Sequence, residues 1–324
     1  MRVGIIGSGN IASQMAATIN QVDGVELYAV ASRTVAKAKD FAEKFGASCY
    51  YGNYEDLAND KNVDLVYIAT PHATHYENTM LCLRHGKAVL CEKPFTLNYS
   101  QAESLIQYAE ENKIFLSEAM WVRFQPFAKK IPELIAEGVI GEPRLVIVNK
   151  GEINNIGPSD VDPRLGGSAL LGNGVYSLTA ASLALGTDVV KTDASGIFME
   201  NGTDGAVSFN LIFGNNTMAH LSASLIANEH NAWYVCGSEG IMEIRGVSRL
   251  LTIDIYNNKR ELVKHYDAPK MISGYEYELL ACKKALESDA LECSEMPHSE
   301  TLRIMKLLDE LRGKAGIVFS GEDA

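Results

Sequence analysis

The sequence predicts a two-domain α/β fold. Strand-like and helix-like segments alternate from residue 1 to about residue 120, which is typical of a parallel, doubly wound sheet. From Asp193 to Tyr266 the helical periodicity gives way to short strand-like runs separated by turn signals, and this pattern indicates a mostly antiparallel sheet. We therefore expect an N-terminal domain over residues 1–121 and a C-terminal α+β domain, with a large, mostly antiparallel open sheet, over residues 122–324.

The first domain opens on an apolar strand, Val3–Ile6, followed by a glycine-rich turn and a helix. The turn reads Gly7-Ser8-Gly9-Asn10-Ile11-Ala12 and matches G-x-G-x-x-A, which in this strand–turn–helix setting is the fingerprint of a Rossmann dinucleotide-binding domain. Gly7 suits the tight turn, and Gly9 lets the backbone approach a pyrophosphate at the helix N-terminus. The residues expected to contact the dinucleotide here are Gly7, Ser8, Gly9, Asn10 and Ile11.

The rest of the first domain repeats this alternation. Apolar runs predict strands over residues 25–32, 48–51, 63–69, 88–91 and 114–119. Helical patterns between them cover residues 35–45, 54–59, 76–84 and 100–112. Either Asn98 or Ser100 is suited to cap the last of these helices.

The second domain begins with a predicted helix over residues 127–137 and a strand over residues 144–152. Further strands are predicted over residues 205–213, 216–226, 232–236, 240–245 and 250–257. Two amphipathic helices, over residues 275–287 and 299–313, end the pattern. These C-terminal helices are candidates for packing back on the first domain.

Composition and charge narrow the function classes. The chain is 47% hydrophobic and 22% charged, as in ordinary globular proteins. Its net charge of −12 argues against nucleic acids and anionic membranes as partners, and no apolar stretch approaches a membrane span. The six cysteines have no C-x-x-C spacing, so we expect no metal site and a reduced, cytoplasmic protein. Because the fold is expected to begin at Val3, we expect no signal peptide.

The end of the second predicted strand bears on the choice of cofactor. In this fold an acidic residue at that point binds the adenosine ribose and repels a 2′-phosphate. Here the strand ends in Ser32-Arg33-Thr34, without a carboxylate. Arg33 can pair with a phosphate in bidentate fashion, so we expect Ser32, Arg33 and Thr34 to favour NADP(H) over NAD(H). The alternative is a solvated arginine at the start of a helix.

Glu92-Lys93-Pro94 follows another predicted strand directly, at the edge where parallel sheets bind ligands. The proline keeps Lys93 out of helical geometry. Beside an oxidised nicotinamide, like charge and desolvation lower the pKa of a lysine, so Lys93 could accept a proton from an alcohol as a hydride leaves. The alternative is an exposed lysine in a loop.

The motifs resemble those of the glucose–fructose oxidoreductase/inositol dehydrogenase/rhizopine-catabolism (Gfo/Idh/MocA) family, and within it the dimeric dihydrodiol dehydrogenase branch. They run nearly end to end in the family's order, as Gly7–Ala12, Ala69-Thr70-Pro71 with His75, Glu92-Lys93-Pro94, Glu118–Phe124, Gly138–Gly141, Gly166–Leu171 and Met296-Pro297. The resemblance implies NAD(P)-dependent oxidation or reduction of a small-molecule substrate, namely a sugar, a polyol or a related cyclic diol. It also implies Lys93 as the proton-handling residue and a homodimer formed through the antiparallel sheet, and it makes Lys93–Pro94 a candidate for a cis peptide bond.

Other polar residues are expected near the same edge. The family places a residue such as His75 near the nicotinamide, and His72 stands where asparagine is common; the alternative for both is an ordinary loop histidine. The set expected near the cofactor in this region is Thr70, Pro71, His72, His75, Glu92 and Lys93. Trp121 and Arg123 are candidates for substrate contact, with domain packing and a structural ion pair as the respective alternatives.

The family completes its site with an aspartate followed four residues later by histidine or, in this branch, tyrosine. Tyr176 matches the second position, so we expect it to assist Lys93, but Gly172 stands at the first and removes the carboxylate. Asn173 is the neighbouring candidate for substrate contact, although one residue turns an α-helix by about 100° and it cannot simply replace the missing group. Ser168 shares the expected face of Tyr176 and could supply a hydroxyl.

Three interpretations of this departure stay open. The first, which we favour, is an active enzyme with a changed substrate. The second is a catalytically weak protein that binds NADP(H) as a sensor or scaffold. The third is a different chemistry on the same cofactor, such as the redox-assisted glycoside hydrolysis of some relatives.

Overall fold

The computed structural model describes residues 1–154 and 156–319 and divides into two compact units. Unit 1 consists of Met1–Phe124 and Met271–Met305, and unit 2 of Gln125–Lys270 and the residues from Lys306 onward. Residues 155 and 320–324, which the sequence analysis placed in the second domain, lie outside the described residues. The fold class is as predicted, with a parallel sheet in unit 1 and a mostly antiparallel sheet in unit 2.

Unit 1 is built on a parallel sheet. Its strands are β1 (Arg2–Ile6), β2 (Glu26–Ala31), β3 (Cys49–Tyr51), β4 (Leu65–Ile68), β5 (Ala88–Glu92) and β6 (Leu116–Ala119). The helices among them are α1 (Asn10–Ile19), α2 (Val35–Phe45), α3 (Tyr54–Asn59), α4 (His75–Arg84) and α5 (Tyr99–Asn112). The described strands lie in the order β3-β2-β1-β4-β5-β6. The order therefore reverses beside β1, and such sheets bind ligands at the carboxyl edge of that point.

Local sequence explains these elements. All four residues of β4 are buried, as are Val3 to Ile6 of β1, because helices cover both faces of a parallel sheet and its central strands are continuously apolar. Asn98 caps α5, since its Oδ1 atom accepts the backbone N–H of Gln101 at 3.0 Å. Of the two predicted capping residues, Asn98 and Ser100, Asn98 is therefore the one that caps α5.

Unit 2 is built on the second sheet. Its elements in chain order are α6 (Pro126–Ala136), β7 (Pro143–Gly151), α7 (Val175–Leu185), β8 (Val189–Phe198), β9 (Asp204–Phe213), β10 (Met218–Ser224), β11 (Ala232–Gly237), β12 (Gly240–Arg245), β13 (Thr252–Asn257) and β14 (Leu262–Asp267). The described strands lie in the order β14-β13-β12-β11-β7-β10-β9-β8. Within that order β7 and β10 are parallel and the other neighbours are antiparallel.

The core of unit 2 lies between this sheet and α7. Helix α7 is buried along nearly its whole length and packs against β7, β10 and α6, as expected for a helix that is apolar on all sides. Alternate residues of β7, such as Val146 and Val148, are fully buried, whereas Leu145 and Ile147 on the opposite face are half-buried. The sheet therefore has one covered face and one open face.

The last two helices are α8 (Glu276–Glu287), in unit 1, and α9 (His298–Ala315), which begins in unit 1 and ends in unit 2. Among the described residues, no helix combines the length and the apolar character needed to cross a membrane.

Two strands of unit 2, β8 and β14, were not predicted with their observed bounds. They are the edge strands of the sheet. Every residue of β14 except one is exposed, and only two residues of β8 are buried. Because an edge strand exposed on both faces lacks a clear alternation of apolar and polar residues, its sequence gives little signal.

Candidate active site

Backbone contacts fix the glycine-rich turn after β1. Gly7 has a φ of +112°, and a Cβ atom on it would lie 2.4 Å from the carbonyl oxygen of Ala69. Only glycine tolerates both this dihedral angle and this approach. The N–H of Gly7 donates to the carbonyl oxygen of Ala31 at 3.0 Å. Gly7 thereby joins the carboxyl ends of β1, β2 and β4.

Gly9 leaves space at the N-terminus of α1. It is the N-cap residue of α1, with a φ of −83°, and its helix has no side-chain cap and no acidic residue in its first turn. A Cβ atom on Gly9 would meet no described atom beyond its chain neighbours within 4 Å. The N–H groups of Asn10 and Ile11 open this helix, and Ser8 precedes it. Free N–H groups, a helix N-terminus and open space together fit a pyrophosphate.

The end of β2 presents one exposed cation. The hydroxyl of Ser32 is buried and lies 3.1 Å from that of Ser8. The hydroxyl of Thr34 accepts the N–H of Lys37 at 3.4 Å and caps α2. Both hydroxyls are thus engaged within unit 1, whereas Arg33 between them is exposed.

His75 connects the segment after β4 to the segment after β5. Its Nδ1 atom lies 2.8 Å from the carbonyl oxygen of Pro94, and its Nε2 atom lies 2.8 Å from that of Thr70. Burial lowers the pKa of His75, and the carbonyl oxygens of Pro94 and Thr70 oppose that shift because each can accept an N–H of the ring. The ring centroids of His72 and His75 lie 5.7 Å apart, with the rings edge to face. The carbonyl oxygen of Pro71 accepts the backbone N–H of Thr74 in the short turn His72–Thr74. The predicted residues around Thr70 therefore lie together.

Glu92 and Lys93 stand at the carboxyl end of β5. Glu92 is 6% exposed, and its Oε1 atom accepts the hydroxyl of Tyr67. Its Oε2 atom accepts the backbone N–H of Lys93 at 3.1 Å. Burial raises the pKa of Glu92, and the charge of Lys93 opposes that shift. The Lys93–Pro94 peptide bond is cis, as the resemblance suggested.

Trp121 and Arg123 both have partners within unit 1. The Trp121 ring is stacked on Tyr275 with centroids 4.5 Å apart. Arg123 donates from Nη1 to Glu300 and from Nε to the carbonyl oxygen of Glu295, each at 2.8 Å. This ion pair is the alternative that the sequence left open for Arg123. Substrate contact stays a prediction for both residues.

In unit 2 the segment before α7 is fixed by a buried carboxylate. The hydroxyl of Ser168 and the N–H of Leu170 both donate to Oδ2 of Asp204, at 3.0 and 2.8 Å. Burial raises the pKa of Asp204 to about 6. The Ser168 oxygen also accepts the N–H of Leu171 at 3.1 Å. Ser168 is therefore part of a helix cap, and the sequence-based suggestion of a spare hydroxyl beside Tyr176 is corrected.

The helical turn around Gly172 also differs from expectation. Leu170–Gly174 is a π-helix, and Val175 begins α7. The shared face of Gly172 and Tyr176 was inferred from regular α-helical spacing, which a wider π-helical turn interrupts. Asn173 donates from Nδ2 to the carbonyl oxygen of Ser224 at 3.0 Å, so its amide is directed at the end of β10. Tyr176 is buried. A Cβ atom on Gly172 would meet no described atom within 4 Å other than its chain neighbours and the backbone of its own helix.

Sequence reasoning missed several buried polar side chains. They are Tyr67 and Glu278 in unit 1 and Lys150 and Asp204 in unit 2. A signal existed for Glu278, which lies in the apolar stripe of α8 with Leu279 and Cys282. Lys150 interrupts the buried face of β7 and donates to Glu152 at 2.6 Å. Within residues 1–154 and 156–319, no group of three or more His, Cys, Asp or Glu side chains is arranged to hold a metal ion.

Alanine at the two glycines should separate folding from dinucleotide binding. We expect Gly7→Ala to cost about 1–3 kcal/mol or more of stability, because its methyl group would meet Ala69 at a strained φ. We expect Gly9→Ala to unfold at the wild-type midpoint but to bind NAD(P)⁺ at least about tenfold more weakly, the loss of roughly one charge-assisted hydrogen bond. Denaturant unfolding and titration calorimetry measure both, and wild-type affinity in Gly9→Ala would contradict the placement of the pyrophosphate.

Comparison with known proteins assigns the two parts of the chain. Residues 1–120 match the GFO/IDH/MocA model described as an oxidoreductase family with an NAD-binding Rossmann fold. Residues 128–243 match the GFO/IDH/MocA C-terminal domain. Both matches follow the order that the sequence motifs indicated.

Individual relatives cover almost the whole chain. A trans-1,2-dihydrobenzene-1,2-diol dehydrogenase of Mus musculus is 31% identical over 331 residues, and one of Xenopus tropicalis is 30% identical over 325 residues, each with 98% of both chains covered. Among solved structures, KijD10, a 3-ketoreductase from Actinomadura kijaniata in complex with NADP and TDP-benzene, matches with a TM-score of 0.89 at 28% identity, covering 97% of this chain and 98% of that one. The chain belongs to the GFO/IDH/MocA oxidoreductase family.

Proposed function

We propose that the protein is an NADP(H)-dependent oxidoreductase that transfers a hydride between the nicotinamide and a sugar, a polyol or a cyclic diol. The observation that carries this proposal is the setting of Lys93 at the carboxyl end of β5. Glu92 accepts its backbone N–H, and His75 contacts the carbonyl oxygen of Pro94. The relatives named as a diol dehydrogenase and a 3-ketoreductase support the same class of reaction.

Lys93 is assigned the proton transfer. The bound nicotinamide would accept the hydride in oxidation or donate it in reduction. In oxidation the neutral amine of Lys93 takes the hydroxyl proton at Nζ, and in reduction its ammonium group returns a proton to the carbonyl oxygen. Tyr176 is assigned a supporting role, because a phenol can donate a hydrogen bond to a substrate carbonyl oxygen or accept one from a substrate hydroxyl group.

Arg33 supports the preference for NADP(H). The residues that end β2 and begin α2 include no carboxylate to repel a 2′-phosphate. Arg33 is exposed, and a guanidinium matches a phosphate in charge and geometry. The 3-ketoreductase relative was crystallised with NADP.

The glycine at position 172 favours one second candidate, a catalytically weak NADP(H)-binding sensor or scaffold. In the family a carboxylate at that position contributes to the site, and Gly172 supplies none. Turnover distinguishes the two functions, because a sensor binds NADPH without transferring a hydride to any member of a substrate panel.

We also propose a homodimer formed through the open face of the unit 2 sheet. One row of half-buried apolar side chains runs along the paired positions of six neighbouring strands, at Ile212, Met218, Leu145, Cys236, Ile241 and Tyr256. A contiguous apolar row of this kind favours burial against a second protein surface. A second copy of the chain is the partner that the family resemblance suggests.

A cytoplasmic location is proposed from the cysteine chemistry. All six cysteines are free, and the Sγ atoms of Cys282 and Cys293 lie 3.8 Å apart. Burial raises the pKa of Cys82 to about 12, which keeps this thiol un-ionised. Neighbouring unbonded thiols are typical of a reducing compartment.

Removal of the lysine amine tests the main proposal. We expect Lys93→Met to lower kcat by about 10²–10⁴-fold, because proton transfer contributes about that much, while the Kd for NADPH changes little. Tyr176→Phe should cause a smaller loss. Steady-state kinetics and NADPH fluorescence titration measure these effects, with Lys39→Met on the exposed surface of α2 as the control. Wild-type turnover in Lys93→Met would overturn the mechanism.

The preference for NADP(H) over NAD(H) is assigned to the Arg33 side chain. We expect Arg33→Ala to raise the KM for NADP⁺ by about ten- to a hundredfold, the equivalent of a hydrogen bond to a charged group, and to leave the KM for NAD⁺ within about twofold. Lys39→Ala, which removes an exposed cation from the same helix region, is the control. A preference of the wild-type enzyme for NAD⁺ would contradict the assignment.

Position 172 can be tested by restoring the carboxylate. Gly172→Asp should fold as the wild type does, because its Cβ atom has open space, and should increase turnover of sugars relative to diols. The matched variant Gly174→Asp should be destabilised, because its Cβ atom would lie 2.9 Å from Leu170 Cδ1. Substrate profiles and thermal unfolding measure both variants. An unchanged substrate profile in Gly172→Asp would contradict the interpretation that Gly172 alters specificity.

A further inference from the structure

Three buried groups that can lose a proton lie in unit 1, and one of them, Glu92, directly precedes Lys93. Tyr67 of β4 and Glu278 of α8 have no exposed surface, and Glu92 of β5 is 6% exposed. Tyr67 pairs with Leu90 in the register of the sheet, and Glu92 follows two residues later. Tyr67 and Glu92 therefore point to the same face of the sheet, where the Tyr67 hydroxyl donates to Glu92. We call Tyr67, Glu92 and Glu278 the buried acid cluster.

The two carboxyl groups of the cluster have different partners. Glu92 accepts hydrogen bonds from the Tyr67 hydroxyl and, at 3.1 Å, from the backbone N–H of Lys93. Burial raises the pKa of Glu92, whereas the charge of Lys93 lowers it and so favours the ionised form. Within the part of the chain that the structure describes, neither carboxyl oxygen of Glu278 has a hydrogen-bond partner. An ionised carboxylate without a partner is costly to bury, whereas a neutral carboxylic acid is much less so. If one of the two carries a proton, it is Glu278.

The groups that face Glu278 from the neighbouring elements favour the same state. The pKa of Glu278 is raised well above its usual range, and burial is the largest cause. The charge of Glu92 in β5 and the nearby Cys293 after α8 raise it further. Glu278 in turn acts on Tyr67 of β4 and on Cys282 of α8. None of these carboxyl, phenol and thiol groups can carry a positive charge, so none of them stabilises a negative charge on Glu278.

We propose that Glu278 stands un-ionised in the buried acid cluster, so that the cluster carries a single negative charge, on Glu92, beside Lys93. This inference rests on the proposed role of Lys93 in proton transfer. A second carboxylate would stabilise the ammonium form of Lys93 further and leave less of its neutral amine available to accept a proton. With Glu278 neutral, Glu92 is the one carboxylate of the cluster, and it accepts the lysine backbone N–H and balances the ammonium group.

Stability against pH tests the protonation of Glu278 without any turnover. Because its folded pKa lies above the unfolded value of about 4.3, the stability that Glu278 contributes is full below that pH and is lost as the pH rises to the folded pKa. Glu278→Gln, an isostere of the neutral acid, lacks this loss. As the pH rises, we expect the unfolding equilibrium constant of Glu278→Gln to fall relative to that of the wild type. The fall should be up to about tenfold for each pH unit between the unfolded and the folded pKa of Glu278.

Glu276, two residues earlier, provides the matched control. Burial raises its pKa, but the backbone N–H groups of Ser273, Gly274 and Ile272 lower it more, and the net shift is downward. Glu276→Gln should therefore lose stability relative to the wild type as the pH rises above the acid range, which is the opposite slope. A difference between Glu278→Gln and the wild type that is constant from acid to alkaline pH would overturn the proposal.

Two further measurements separate this inference from the proposed function. Infrared spectra of the wild type at neutral pH should show the C=O stretch of a buried carboxylic acid that Glu278→Gln lacks and Glu92→Gln retains. In kcat/KM against pH, Glu92→Gln should move the limb assigned to Lys93 to lower pH, and Glu278→Gln should leave that limb in place. An equal displacement in both variants would show that Glu278 is ionised. If Lys93→Met retains turnover, the proposed function fails, while the infrared and stability results still decide the state of Glu278.

Discussion

The approach of Gly7 to the Ala69 carbonyl group is the constraint on which the candidate site of unit 1 depends. A Cβ atom at Gly7 would stand 2.4 Å from that oxygen, so the carboxyl ends of β1 and β4 can meet as they do only with glycine there. The same residue bonds to Ala31 at the end of β2. The glycine-rich turn, the end of β2 before Arg33 and the start of the segment from Thr70 to His75 are therefore held together by the backbone contacts of Gly7.

Buried polar groups then fix the neighbouring lysine. His75 spans the carbonyl groups of Thr70 and Pro94, and Glu92 spans Tyr67 and the Lys93 backbone. Buried polar groups persist in a fold when they are hydrogen-bonded, and a group left unpaired tends to be neutral. This rule accounts for a paired Glu92 and an un-ionised Glu278 in one cluster. The backbone of Lys93 is thus held by the carboxylate of Glu92.

Much of the fold could be predicted from the sequence, because its strongest elements carry local signals. Buried strands such as β4 are continuously apolar, and the glycine turn has a fixed spacing. The edge strands β8 and β14 escaped prediction because their exposure on both faces removes the pattern. The π-helix at Leu170–Gly174 escaped because periodicity assumes a regular helix, and its cap, Asp204, comes from a distant strand.

Only part of the candidate site could be predicted from the sequence. Motif residues that follow parallel strands, such as Ser8 and Lys93, could be assigned to one sheet edge because the topology dictates it. Tyr67 and Glu278 of the buried acid cluster could not be assigned in this way, since both lie in apolar sequence patterns and acquire their role through tertiary packing. The engagement of Arg123 with Glu300 is likewise a contact across 177 residues of sequence that no local pattern encodes.

Hydride transfer itself gives the most direct test of the central claim. The wild-type protein would be incubated with NADP⁺ and a panel of diols, polyols and sugars deuterated at the hydroxyl-bearing carbons, and the recovered cofactor analysed by mass spectrometry. We expect deuterium on the reduced nicotinamide for at least one diol or polyol, with the transfer strongly slowed in Lys93→Met. Tight binding of NADP⁺ with no deuterium transferred from any member of the panel would contradict it.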